Sequence, residues 1–181
     1  GTYAIASAIT DGSVELVGAE PTHLEAPIQL LRNAGVKVTP TKHGIRVEGA
    51  KQLKSVDVIT QPYPGFPTDL QAQIMVLMII AHGVSTIKEN IFENRFMHVS
   101  ELRRMGAEIE IKGSKAIIFG KSRLKGAELM ATDLRASVCL VLAGLVASNK
   151  TTVNRIYHLD RGYEQIEKKL SKCGAKIKRI K

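Results

Sequence analysis

The sequence predicts an α/β fold, an inside-out β/α barrel of three pseudo-symmetric βαβαββ units with apolar helices in the centre and small sheets outside. Three observations predict it. Pro67-Thr68-Asp69-Leu70-Gln71-Ala72-Gln73 is nearly repeated as Ala131-Thr132-Asp133-Leu134-Arg135-Ala136-Ser137, and each copy opens a long apolar run. Gly35, Gly106 and Gly174 each stand where a helix ends on a left-handed residue, the last two in Met105-Gly106-Ala107-Glu108-Ile109 and Cys173-Gly174-Ala175-Lys176-Ile177. Their spacing of about 70 residues exceeds a solenoid repeat and suits a small α/β unit. The runs over 74–80 and 138–143 are apolar on every side, so a helix made from either is buried on every side.

Taken in order, the first unit (about 1–50) reads as a helix over 2–10 and a strand over 13–17. A helix follows from near Thr22 to Gly35, with Pro27 in its early turns, then strands over 36–39 and 44–47. The second unit (about 51–120) opens with a strand over 56–60 and a rigid loop over 61–67, rich in Pro and Gly. That loop delivers Thr68 as the N-cap of a helix over 69–81, with Gln71 answering it in a capping box. A strand over 85–89, a helix over 95–105 capped by Asn94, and strands over 108–111 and 115–119 complete it. The third unit (about 121–181) gives a strand over 128–130, a helix over 133–147 capped by Thr132, and a strand over 151–155. It ends in a helix over 161–173 capped by Asp160 and a strand over 176–180. On this count the first unit lacks its leading strand and the third its closing one, leaving sheet edges that an intact protein pairs. With a start at Gly1-Thr2-Tyr3 and no initiator Met, the expectation is one domain cut from a longer protein.

A hydrophobic fraction of 44% with 24% charged residues excludes a disordered chain. Lys and Arg number 26 against 17 Asp and Glu, a net +9 that admits nucleic acid, an anionic membrane surface or a phosphorylated metabolite. Aromatic residues at 4%, with no Trp, are too few for a base-stacking platform. No signal peptide or membrane-length apolar run is present, so a cytoplasmic location is expected. The chain has no G-x-G-x-x-G, Walker A, C-x-x-C or H-E-x-x-H pattern, and no cofactor or metal is expected. Cys139 and Cys173 read as inert thiols, and His98 and His158 as structural residues with their hydrogen bonds satisfied.

The chemistry concentrates at the helix starts. Arg95, Arg135 and Arg161 each fall in a predicted first turn, where the helix dipole disfavours a cation unless an anion shares the site. Free N–H groups together with a bidentate guanidinium suit phosphate or carboxylate. A single such Arg is more simply read as turned to solvent, but three at equivalent places favour a shared anion site. Asp69 and Asp133 complement the dipole, which favours their charged form. That complementation alone explains both acids; as a functional group Asp69 reads first as one that orients a hydroxyl, and second as a base that takes its proton as bonding makes that proton acidic.

Four segments also carry a resemblance. Residues 64–73 (PGFPTDLQAQ), 92–98 (FENRFMH), 130–137 (MATDLRAS) and 155–164 (RIYHLDRGYE), in this order, closely resemble the UDP-N-acetylglucosamine 1-carboxyvinyltransferases, a family of enolpyruvyl transferases. The resemblance implies two domains, each of three units with helices inside, of which this chain is the C-terminal one. It implies transfer of the enolpyruvyl group of phosphoenolpyruvate to the 3-hydroxyl of UDP-N-acetylglucosamine through a tetrahedral intermediate, with release of phosphate, as the first committed step of peptidoglycan synthesis. Asp69 would meet the 3-hydroxyl and Ile91 the sugar nucleotide. Arg95, Arg135 and Arg161 would face the phosphoenolpyruvate anions, with Asp133 near the reacting carbons. Catalytic roles thus fall to Asp69, Asp133 and Arg161. No cofactor, nucleic acid or membrane is implied as a partner. The family's cysteine acid and an early Lys-Asn pair belong to the other domain, and Cys139 and Cys173 match neither. This chain alone is expected to be inactive. The rival readings are a basic non-enzymatic module binding RNA or another polyanion, and the shikimate-pathway enolpyruvyl transferase.

Overall fold

A computed structural model describes residues 1–180. The second unit is complete and shows the βαβαββ order: β4 (Val58–Ile59), α3 (Gln71–Ile80), β5 (Val84–Lys88), α4 (Val99–Arg104), β6 (Glu108–Lys112) and β7 (Lys115–Phe119). Its sheet runs β4-β5-β7-β6, with β4 parallel to β5 and the remaining pairs antiparallel. The first unit is α1 (Thr2–Ile9), β1 (Ser13–Val17), α2 (Glu25–Asn33), β2 (Lys37–Thr41) and β3 (Gly44–Glu48), in the antiparallel order β1-β3-β2. By analogy with β5, the free side of β1 is where a leading strand would pair. The third unit is β8 (Glu128–Met130), α5 (Leu134–Val146), β9 (Thr152–Asn154), α6 (Tyr157–Asp160) and α7 (Ile166–Lys172), with β8 parallel to β9. Among the described residues the three sheets stay separate and none closes on itself.

The three apolar helices lie together at the centre. Nine of the ten residues of α3 are buried, so its apolar run needs neighbours on all sides. It has them in α1 and α5, which also touch each other. All three point the same way: Ile9, Ile80 and Val146, at their C-terminal ends, line one hollow. Their N-terminal ends meet at the other pole, where Leu70 fills the space a Cβ on Gly1 would need. Three helix dipoles therefore present their positive ends to one region.

The repeat is preserved in detail at the ends of the outer helices. Gly35, Gly106 and Gly174 have φ of +94°, +96° and +99°, and each closes its helix with paired bonds back to the last turn, for example Gly106 N to Arg103 O at 2.9 Å and Ala107 N to Leu102 O at 3.1 Å. Arg32 and Arg103, three residues before the first two glycines, each reach forward six residues to a strand carbonyl, Val38 O and Ile109 O. Ser171 holds that place in the third unit and makes no such bridge.

Several predicted boundaries need correction. The strand expected over 176–180 does not form, because no hairpin partner lies beside it among the described residues. The helix expected over 95–105 is only Val99–Arg104: Asn94 adopts φ +55°, which rules it out as an N-cap, and residues 93–98 turn before the helix begins. The helix expected over 161–173 forms only as α7, Ile166–Lys172, because Gln165 is left-handed at φ +46°, and a separate short helix, α6, precedes it over Tyr157–Asp160. Asp160 caps neither piece. It accepts two hydrogen bonds from Arg179, at 2.9 and 2.6 Å, which hold its carboxyl below the usual range and fasten the C-terminal tail to α6.

Candidate functional site

The two repeated motifs start their helices differently. Thr68 is not a cap: its hydroxyl donates to Glu89 Oε2 at 2.9 Å, and the chain enters α3 through a 3₁₀ turn over Thr68–Leu70. No capping box with Gln71 forms. In the later copy the cap is Asp133 rather than Thr132, its Oδ1 accepting from Arg135 N at 2.8 Å and Ala136 N at 3.0 Å. The 3₁₀ turn swings Asp69 outward from the first turn, with its side chain 68% exposed. There it meets Arg135, whose Nε donates to Asp69 Oδ1 at 2.8 Å while Nη2 reaches the same oxygen. The anion that a first-turn Arg requires is thus supplied, in the free protein, by the neighbouring unit.

Asp69, Asp133 and Arg135 form one group at the front of the central helices. Ile91 joins it indirectly: its N–H and that of Phe92 donate to Glu89 Oε1 at 2.8 and 3.2 Å, the same carboxylate that holds Thr68. Arg161 is not at a helix start, since it follows α6 and is exposed. Its turn nevertheless abuts the group, because the next residue, Gly162, passes so close to Leu134 that a Cβ would lie 3.0 Å from Leu134 Cδ2. Arg95 is not at a helix start either. It sits in the turn before α4 with its guanidinium carbon 4.1 Å from the centre of the Phe92 ring. The shared placement inferred from three helix starts therefore holds in that form for Arg135 alone.

A second polar network, not among the expectations from sequence, lies just below. Thr2 Oγ1 and Tyr163 OH are 2.8 Å apart, and Gln73 Nε2 donates to Thr2 Oγ1 at 3.2 Å, so α1, α3 and the segment carrying Arg161 are tied together inside the apolar bundle. A Gln pair in the first turn of an otherwise apolar helix was the signal for it. Among the described residues, buried side-chain polar atoms left without partners include Gln71 Nε2, Gln73 Oε1, Arg95 Nη1, His98 Nε2 and His158 Nε2. These five belong to the segments around this pole, and a sixth, Thr151 Oγ1, lies beside Gly144 near the other end of α5. Such atoms each cost about 1–3 kcal/mol unless water or a ligand meets them.

His98 and His158 are accordingly not satisfied as expected. Burial pulls the His98 imidazole down to about 4, with the Asp133 carboxylate opposing weakly. An unfolded chain protonates this group near 6.5, so the stability associated with neutral His98 is complete above that pH and is lost as pH falls toward 4. The difference is about 3 kcal/mol at the acid end. Urea midpoints at pH 7 and pH 4.5 should fall more steeply for the parent protein than for His98→Gln; equal slopes would show that His98 takes up its proton as easily folded as unfolded. Cys139 is buried, and burial pushes its thiol up, as an inert core residue requires. Among the described residues no three His, Cys, Asp or Glu side chains converge in metal-binding fashion. No described helix is long and apolar enough to cross a membrane.

Comparison with known proteins gives a consistent picture. The profile of EPSP synthase (3-phosphoshikimate 1-carboxyvinyltransferase) matches residues 1–170. UDP-N-acetylglucosamine 1-carboxyvinyltransferases from Pelagibacter ubique and Paramagnetospirillum magneticum are each 58% identical, over 99% and 100% of this chain and 43% and 42% of their own length. The enzyme of that name from Thermodesulfovibrio yellowstonii is 54% identical over 100% of this chain and 44% of its own length. The chain thus spans less than half the length of these relatives. Among solved structures, the enolpyruvyl transferase NikO from Streptomyces tendae superposes with a TM-score of 0.89 at 28% identity, over 98% of this chain and 42% of that one. EPSP synthase from Acinetobacter baumannii shares the fold at a TM-score of 0.64 and 21% identity, over 84% of this chain and 37% of that one.

Proposed function

The chain belongs to the EPSP synthase family, and from that premise we propose that it is the C-terminal catalytic domain of a UDP-N-acetylglucosamine 1-carboxyvinyltransferase. The complete protein would have a second, N-terminal domain closing over the front pole of this one. Strands from outside the chain would pair with the free edges of β1 and β9 and complete the inside-out barrel. The reaction would be transfer of the enolpyruvyl group from phosphoenolpyruvate to the sugar 3-hydroxyl in the cytoplasm, for peptidoglycan synthesis. The observation that carries this reading is the Asp69–Arg135 contact between two units, which brings a carboxylate fit for a hydroxyl and a guanidinium fit for an anion to one spot. The high identity to relatives named for this substrate favours it over the shikimate-pathway reaction.

In the proposed mechanism the substrates divide the pair. The 3-hydroxyl takes the place of Arg135 beside Asp69, which orients the oxygen toward the carbon bearing the phosphate and accepts its proton as the C–O bond forms. Arg135, released, binds the phosphate or carboxylate through two N–H groups, with Arg95 and Arg161 completing the anion site. An acid of the N-terminal domain would supply the proton that adds at the methylene carbon to give the tetrahedral intermediate, and return of a proton from the resulting methyl group to a base would regenerate the double bond as the C–O bond to phosphate breaks. Asp133 holds the first turn of α5 in place with its Oδ1 bonds and so fixes the backbone from which Arg135 projects. Exchange of partners is inexpensive, because an exposed ion pair contributes only about 0–1 kcal/mol.

The test is complementation. The purified 181-residue chain alone should release no phosphate from phosphoenolpyruvate with UDP-N-acetylglucosamine, and addition of the N-terminal portion should restore release with that acceptor but not with shikimate 3-phosphate. Turnover by the chain alone, or restoration with shikimate 3-phosphate only, would contradict the proposal.

A further inference from the structure

Glu89 is a carboxylate only 3% exposed, and among the described residues no Lys or Arg forms an ion pair with it. Burying an anion this way is unfavourable unless neutral donors replace its hydration. Four do: Thr60 Oγ1 at 2.8 Å, Ile91 N at 2.8 Å and Phe92 N at 3.2 Å donate to Oε1, and Thr68 Oγ1 at 2.9 Å donates to Oε2. Thr60 is itself fully buried and locked, its hydroxyl accepting from Asn90 N at 2.9 Å and its N–H donating to Lys88 O at 2.9 Å. The donors come from three separate stretches: the end of the strand segment after β4, the turn that presents Asp69, and the loop after β5. A side chain needed only for packing would be apolar here, since an apolar group of the same volume carries no desolvation cost. What the carboxylate adds is a fixed distance between the turn of Asp69 and the backbone of Ile91.

We infer that Glu89 is a positioning residue that holds Asp69 and Ile91 as a single sugar-nucleotide subsite. The inference rests on the functional reading above and adds a residue to it. By engaging Thr68 Oγ1, Glu89 removes that hydroxyl from the capping position, and the resulting 3₁₀ turn is what directs Asp69 outward. By accepting from Ile91 N and Phe92 N, it sets the loop whose Ile91 side chain faces the same ligand. Arg135, Arg95 and Arg161 make no hydrogen bond with Glu89, so the anion site is separate from this brace.

Steady-state kinetics of the complete two-domain protein test it. Glu89→Ala should raise KM for UDP-N-acetylglucosamine by about tenfold or more and lower kcat, with KM for phosphoenolpyruvate changed less than about twofold. Glu89→Gln should recover most of the loss, because its oxygen accepts the Oε1 donors and its amide N–H donates to Thr68 Oγ1, which can accept as well as donate. Thr68→Val breaks only the link toward Asp69 and leaves three donors on Glu89, so it should lower kcat, and Thr68→Ser should restore it. These two variants read the same brace if Glu89→Ala fails to fold. Equal changes in both KM values, or a rate that falls only with the folded fraction while both KM values hold, would overturn the role of Glu89. So would a Thr68→Val protein with parental kcat. A parent protein that turned over neither substrate would overturn the functional reading instead.

Discussion

Asp69→Asn in the complete protein should lower kcat by about a hundred- to ten-thousand-fold, the range a positioned proton acceptor contributes. Asn fills the same volume, so the turn over Thr68–Leu70 and the Glu89 brace should persist. Two things are lost. The amide cannot take the hydroxyl proton as the C–O bond forms, and it cannot balance Arg135 at the positive end of α5. Sugar-nucleotide binding should weaken much less than kcat, because an amide oxygen still accepts from the 3-hydroxyl. Phosphate release under saturating substrates, read beside a direct binding titration, separates the two effects. A variant with parental kcat would remove Asp69 from the chemistry.

Arg135→Lys should lower kcat/KM for phosphoenolpyruvate by about a hundredfold or more, although the charge is conserved. Arg135 already presents Nε and Nη2 side by side toward one carboxylate oxygen of Asp69, and that fork is the geometry a phosphate or carboxylate would meet. An ammonium group supplies charge without the fork. Its first-turn position also depends on Asp133, whose cap bonds go to the backbone of Arg135 and Ala136. If Lys at this position sustained the parental kcat/KM, the site would need only positive charge near the α5 start, and the bidentate role assigned to Arg135 would fail.

The features legible in the sequence were those written in repeats. The glycines at 35, 106 and 174 announced three helix ends because only a residue tolerant of positive φ suits that place, and all three adopt it. The runs opening at Asp69 and Asp133 announced central helices because apolar residues on every side leave no solvent face. What failed was the reading of individual caps. Thr68 is a good N-cap by type, yet a buried carboxylate distant in sequence, Glu89, claims its hydroxyl. Asp160 is likewise taken by Arg179, and Asn94 by a left-handed turn. Capping preference is a local effect of about 1 kcal/mol, and a long-range hydrogen bond to a buried carboxylate outweighs it. With those caps went the helix starts assigned to Arg95 and Arg161. Glu89, Thr2, Gln73 and Tyr163 were passed over because each is ordinary alone and becomes informative only when folding brings its partners together.

The central claim is that the common pole of α1, α3 and α5 is where the two substrates meet. A crystal structure of the complete protein with UDP-N-acetylglucosamine and an unreactive phosphoenolpyruvate analogue tests it most directly. The account predicts the sugar 3-hydroxyl within hydrogen-bond reach of the Asp69 carboxylate, Ile91 against the sugar nucleotide, and Arg135 turned from Asp69 to the analogue's anionic groups. A complex in which Asp69 and Arg135 stay paired while both ligands lie elsewhere would contradict it.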